Sequence, residues 1–160
     1  MKRTVDICMA ALGLVLTAPL LAIISVLIKL DSQGPVIFRQ IRVGEGFRPF
    51  AIRKFRTMVV DAPGAGLPLT VGQDSRITRI GQILRKCKLD ELPQLWNVLV
   101  GDMSFVGPRP EVPRYVERLR SEFSEVLKVR PGITDLASLR YIDEASILAY
   151  SPNPEEEYQL

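Results

Sequence analysis

In the run LDELPQLWNVLVGDMSFVGPRP, residues 89–110, two carboxylates stand side by side just ahead of a proline, and an arginine sits between two more prolines at its end. Asp90 is a good N-cap for a helix running from Glu91 to about Val100, with Pro93 in the first turn, where its missing N–H costs nothing. The N-terminus of such a helix carries partial positive charge and free N–H groups, which keep Asp90 ionised and attract phosphate oxygens. An ionised carboxylate beside a bound phosphate can act as a nucleophile. Neighbouring residues project about 100° apart around a helix, so the two acids do not form an acid/base pair across one bond. A division of labour fits better: one attacks phosphorus while the other holds Mg²⁺, an ion that takes few carboxylates together with substrate phosphates. Arg109, fixed between Pro108 and Pro110, can present a planar fork to phosphate oxygens. The competing reading is that Asp90 only caps its helix, Glu91 is solvated and Arg109 pairs with a carboxylate.

Composition narrows the chemistry further. The sequence has no histidine, which excludes Ser-His and Cys-His nucleophile systems and His-ligated metal sites. Acid–base or nucleophilic work falls to Asp, Glu, Lys, Tyr or Cys. Cys8 and Cys87 form no metal-binding spacing and read as free thiols in a reducing compartment. The net charge is only +3, but residues 1–60 carry an excess of +6. A basic first third suits an anionic membrane surface, a phosphorylated substrate or nucleic acid.

The elements that must position these residues begin with an apolar segment. Ile7 to Ile28 contains no charge, about 33 Å as a helix and long enough to cross a bilayer core. It is longer than a signal-peptide core and no small-x-small cleavage site follows, so it reads as a retained anchor. Pro19 near its middle strands the carbonyl of Val15, which the Thr17 hydroxyl could satisfy. Basic residues flank both ends (Lys2 and Arg3, then Lys29, Arg39 and Arg42), which suits a hairpin re-entering the cytoplasmic face; a single spanning helix is the alternative.

Beyond a turn at residues 31–35, Val36–Val43 and Phe50–Met58 are β-rich runs with apolar and basic residues interleaved and read as a β-hairpin through Gly44-Glu45-Gly46. Residues 59–74 form a Gly/Pro-rich loop. From Thr78 the spacing of Ile80, Ile83 and Leu84 predicts a basic amphipathic helix, on a membrane surface or simply solvated. A second amphipathic helix follows Pro113 and stops before Pro131-Gly132, and the tail is acidic. The chain is long enough for one α+β domain with a core, not for two.

Three segments, GPVIFRQIRVGEGFRPFAIRKFRTM, DSRITRIGQILRKCKLDELPQLWNVLVGDMSFVGPRPE and VRPGITDLAS, together cover most of the chain after the apolar start. In them the sequence resembles the bacterial sugar transferases that are monotopic phosphoglycosyl transferases. The resemblance implies a re-entrant helix-break-helix anchor over residues 1–30 and a catalytic domain over 31–160 on the cytoplasmic face of the bacterial inner membrane. It implies transfer of a phosphosugar from a UDP-sugar to undecaprenyl phosphate or a similar polyprenol phosphate, with Mg²⁺. Asp90 would be the nucleophile and Glu91 the Mg²⁺ ligand, while Lys54, Arg85 and Arg109 match basic residues around the phosphate site. Membrane lipids would be partners and nucleic acid would not; a homo-oligomer is left open.

Three positions depart from the family pattern. Ala18 precedes Pro19 where Ser is common. GITDLAS alters contacts expected near Asp135 and Ser138. Relatives usually continue past the equivalent of Tyr158, so a chain stopping at Leu160 reads as a short or truncated form. Two other functions compete. A membrane-anchored module binding nucleic acid or anionic lipid explains the basic hairpin but not Asp90-Glu91. A Mg²⁺-dependent nucleotide-sugar diphosphate hydrolase shares the phosphate chemistry and differs in transferring nothing to lipid.

Overall fold

A computed structural model describes residues 1–60 and 74–135. Most of the Gly/Pro-rich loop, the acidic tail, Ser138 and Tyr158 lie outside the described residues. The described part is mixed helix and sheet, as expected: a long helix, a β-hairpin, four shorter helices and a two-strand parallel pairing.

Helix α1 runs from Lys2 to Asp31 with Pro19 inside it. Where the sequence suggests helix-break-helix, the conformation stays helical throughout. A proline removes one N–H, and packing along the rest of the helix holds the backbone in place. The Thr17 hydroxyl donates to the Gly13 carbonyl at 2.7 Å, not to that of Val15, in the back-bonding geometry that hydroxyls adopt inside helices.

One face of α1 packs on the rest of the protein along its whole length. Ala10 joins Ile52, Val98 and Met103 in one cluster, while Ile24 and Ile28 join Phe55 and Leu84 in a second. The opposite face exposes Leu12, Val15, Leu16, Ile23, Val26 and Leu30. A stripe this apolar and this open calls for a non-aqueous cover.

Both ends of α1 are tied down. Lys2 Nζ donates to the Val106 carbonyl at 3.0 Å, and the Arg3 guanidinium donates to the Val98 and Leu99 carbonyls at 2.6 and 2.9 Å. Buried Asp6 accepts from the Ser104 hydroxyl at 3.0 Å. At the other end, Arg56 donates to the Ser32 carbonyl at 2.7 Å, and Asp31 Oδ2 accepts the Ile80 N–H at 3.0 Å.

Strands β1 (Ile37–Val43) and β2 (Pro49–Phe55) form the expected antiparallel hairpin, with Ile37 opposite Phe55 and Val43 opposite Pro49. Helix α2 (Arg79–Lys86) opens on Thr78, whose hydroxyl accepts the Gly81 N–H at 3.0 Å. Helix α3 (Gln94–Val100) ends at Gly101, whose φ of 105° is the left-handed close that glycine favours. Strand β3 (Ser104–Val106) pairs in parallel with β4 (Gly132–Thr134). The single amphipathic helix expected after Pro113 is two, α4 (Pro113–Arg118) and α5 (Arg120–Val126), because Leu119 at φ −113°, ψ 38° leaves helical conformation.

Candidate active site

The acidic pair sits differently from the sequence expectation. Lys88 adopts a left-handed conformation (φ 57°) after α2, and Leu89–Glu91 form a 3₁₀ turn that leads through Leu92 and Pro93 into α3. Asp90 is therefore not an N-cap. It lies inside the turn, 8% exposed, and its Oδ1 has no hydrogen-bond partner. The turn is held by Leu89, which packs against the Ile24–Phe55–Leu84 cluster and leaves its neighbour facing inward.

Lys54, Glu91 and Arg85, three of the other predicted residues, stand around Asp90. Lys54 Nζ, from β2, meets Glu91 Oε1 at 2.6 Å, both side chains about a quarter exposed. Arg85, in the last turn of α2, donates from Nε to the Thr57 hydroxyl at 2.8 Å. Burial pushes the Asp90 carboxyl above its ordinary value; Lys54 opposes this, Glu91 adds to it, and Arg85 opposes it again. Against the expectation that Asp90 is kept ionised, loss of water moves its carboxyl upward despite the two cations beside it. Burial likewise draws the Arg85 guanidinium down, while the charges of Asp90 and Asp74 pull it back. Arg109 comes from another part of the chain, the loop after β3, and is exposed. That loop is anchored by Arg42, which donates to the Pro110 carbonyl at 3.0 Å, and by the Gly132 N–H, which donates to Pro108 at 2.9 Å.

Sequence reasoning missed Thr57, whose side chain orients Arg85 and whose carbonyl accepts the Thr78 N–H at 3.0 Å. Its signal was faint, a hydroxyl at the end of a strand. The close fit of α2 on this point depends on Gly81, because a Cβ there would collide with the Thr57 carbonyl. Gly81→Ala is expected to push α2 off β2 and destabilise the protein by about 1–3 kcal/mol. Arg85 should be displaced with it, so that thermal unfolding in detergent and turnover fall together; unchanged activity would separate α2 placement from the site.

Beside Pro93 an apolar groove of about 230 Å³ opens between α1, the hairpin and α3, lined by Leu14, Leu21, Ile37, Phe55 and Trp96. Arg53 borders it and faces the Trp96 ring, 5.9 Å from the centroid. Phe55 and Pro93 of this slot neighbour Lys54 and the acidic turn along the chain, which sets the acid pair and its cations near an apolar opening under α1. Such a site can hold a phosphate diester, offer it a carboxylate nucleophile and admit an apolar chain.

A family described as bacterial sugar transferase matches residues 1–158. A protein of Bacillus subtilis (strain 168) is 48% identical over 133 residues, 83% of this chain and 70% of the relative. A UDP-N-acetylgalactosamine-undecaprenyl-phosphate N-acetylgalactosaminephosphotransferase of Aeromonas hydrophila is 45% identical over 86% of this chain and 33% of its own. A UDP-glucose:undecaprenyl-phosphate glucose-1-phosphate transferase of Caulobacter vibrioides is 46% identical over 87% of this chain and 53% of its own. The chain thus spans about a third to a half of the last two proteins.

Proposed function

The chain belongs to the bacterial sugar transferase family, and we propose that it moves a sugar phosphate from a UDP-sugar to undecaprenyl phosphate or a similar polyprenol phosphate. The observation that carries this reading is the buried Asp90 carboxylate, its Oδ1 without a partner, set among Lys54, Arg85 and Glu91. A buried acid with an unused oxygen is costly unless it has work to do.

In the proposed reaction Asp90 Oδ1 attacks the sugar-bearing phosphorus. A new P–O bond forms, the diphosphate P–O bond breaks, and uridine monophosphate leaves with the bond's electrons. An oxygen of the polyprenol phosphate then attacks the same phosphorus. The acyl phosphate bond breaks, Asp90 recovers its carboxylate, and the product is a polyprenyl diphosphate sugar. Arg85 and Lys54 offset the negative charge that gathers as each attacking oxygen approaches. Arg109, on its proline-flanked loop, reaches the nucleotide or acceptor phosphate.

Glu91 fits the Mg²⁺ role, since this ion is held by one or two carboxylates together with substrate phosphates. When bound, Mg²⁺ would neutralise diphosphate charge. Glu91 would hold it while Lys54 fixes the Glu91 carboxylate.

Membrane attachment through α1 and its exposed apolar face, with both ends on the cytoplasmic side, completes the proposal. Its support is the pair of ties: Lys2 and Arg3 at one end and Asp31 and Ser32 at the other all bond to the same catalytic unit. Single cysteines replacing Lys2 and Ser32, in a background lacking Cys8 and Cys87, should both be labelled from the cytoplasmic side. Labelling from opposite sides would defeat this placement of the two ends. Production of exopolysaccharide or another glycoconjugate is the pathway class such a product feeds.

The test of function is transfer. A panel of UDP-sugars with undecaprenyl phosphate in vesicles should yield one lipid-linked sugar, and release of monophosphate without lipid product would point instead to a hydrolase.

A further inference from the structure

The acidic turn and Lys54 belong to different elements, and the fold must hold them in register. Lys54 is on β2, whose only strand neighbour among the described residues is β1. The other edge of β2 faces α3. There Asn97, 0% exposed, does what a third strand would do. Its Oδ1 accepts the Arg53 N–H at 3.0 Å and its Nδ2 donates to the Ala51 carbonyl at 2.8 Å. One side-chain amide thus bridges two backbone groups of β2, one on each side of Ile52, in donor–acceptor order.

Asn97 is itself clamped. Nδ2 also donates to Asp102 Oδ2 at 3.1 Å, while the Asn97 carbonyl accepts the N–H groups of Gly101, Asp102 and Met103 at 3.0–3.2 Å. A group fastened at both ends transmits position without slack. Sliding β2 along α3 by even one residue would leave buried backbone groups unpaired.

We propose that Asn97 is a positioning residue, which locks β2 to α3 so that Lys54 meets Glu91 beside Asp90. Directly along the chain, Lys54 follows Arg53, the residue whose N–H is held. Glu91 lies in the turn that begins α3. The 2.6 Å Lys54–Glu91 contact closes the same seam at its other end. The proposal rests on the transferase reading for its catalytic consequence, and on the hydrogen bonds alone for the register.

The kinetic test uses the donor-only release of uridine monophosphate by the full chain. Asn97→Ala should slow this step by about 30-fold or more, with a smaller change in donor KM, because misplacement of reacting groups acts on the chemical step. The loss should shrink to less than about threefold in a Glu91→Ala background, where the contact that Asn97 protects is already gone. Leu127→Ala, in the separate cluster with Val43 and Val116, supplies a control that lowers thermal stability without touching the seam. If Asn97→Ala does not fold, Asn97→Asp keeps the size and the bond from Arg53 and loses the donor to Ala51, and it should show the same non-additivity.

A second readout needs no catalysis. In a background without Cys8 and Cys87, Lys54→Cys with Glu91→Cys should be bridged by a short bifunctional thiol-alkylating reagent, and adding Asn97→Asp should cut the yield about tenfold. If the wild type releases no monophosphate, the transferase route fails and this readout alone decides Asn97. Equal losses with and without Glu91, a matching loss in Leu127→Ala at the same melting temperature, or an unchanged bridging yield would overturn the proposal.

Discussion

Asp90→Asn is expected to abolish both turnover and the covalent phosphosugar, by roughly 10³-fold or more as for other removed nucleophiles, while making the folded protein more stable. Incubation of wild-type protein with donor alone should release uridine monophosphate and add a phosphosugar to the peptide containing Leu89-Asp90-Glu91; polyprenol phosphate should then remove it. The substituted amide has no attacking carboxylate oxygen, so neither event should occur. The stability gain comes from the same burial. Because the folded protein holds the Asp90 proton more tightly than the unfolded chain does, the stabilisation is complete below the unfolded carboxyl pKa. It is lost as pH rises through the folded value. Asparagine imitates the protonated acid at every pH, so the variant's melting temperature should exceed that of wild type near neutrality and converge with it in acid. The wild-type donor-only rate should fall as pH drops through a value above the ordinary carboxylate range. A donor-only experiment on active wild-type protein that gives neither monophosphate nor a mass shift would remove the covalent route. It would leave direct attack by the acceptor, with Asp90 as a base.

Why the acidic pair was misplaced by local reasoning, and the hairpin was not, is a matter of range. The hairpin is two β-rich runs of interleaved apolar and basic residues, Ile37–Val43 and Pro49–Phe55, on either side of Gly44-Glu45-Gly46, and that composition is visible in a short window. Thr78 before α2, Pro113 before α4 and Gly101 after α3 are likewise local signals, and each marks a boundary. Asp90 satisfied the local rule for a cap, but its setting is decided by Lys88 in a left-handed conformation and by Leu89 in a core built with α1 and β2. No window of neighbours contains that information. The break at Leu119 has no glycine or proline to announce it. The Lys54–Glu91 contact joins positions 37 apart, beyond any periodicity; Glu91 stands out beside Asp90, Lys54 only through the family resemblance, and the structure puts them in contact. Asn97 carried one overlooked signal, a polar residue on the buried stripe that also holds Leu95 and Val98. A buried amide inside an apolar stripe is there for its hydrogen bonds.

Arg85→Lys is expected to lower kcat/KM for the donor about 100-fold, roughly 2.7 kcal/mol of transition-state stabilisation, although the charge is kept. Arg85 approaches Asp90 from the last turn of α2, and its Nε bond to Thr57 sets the plane of the guanidinium. A lysine ammonium is a point charge on a flexible stem; it has neither the Nε donor nor the fork that matches two phosphate oxygens. Thr57→Val separates the two contributions, since it keeps the fork and the charge but frees the plane. It should cost less than the lysine change, about fivefold to tenfold, and should act on the chemical step more than on donor binding. Both variants should retain membrane association, because α1 is untouched. If Arg85→Lys turns over normally, a point charge suffices at this position and Thr57→Val should be silent as well. If Thr57→Val is as damaging as Arg85→Lys, orientation is the whole of the arginine's role. The expected order, lysine worse than valine and both slower than wild type, requires a guanidinium that is aimed and that also grips phosphate with two of its nitrogens.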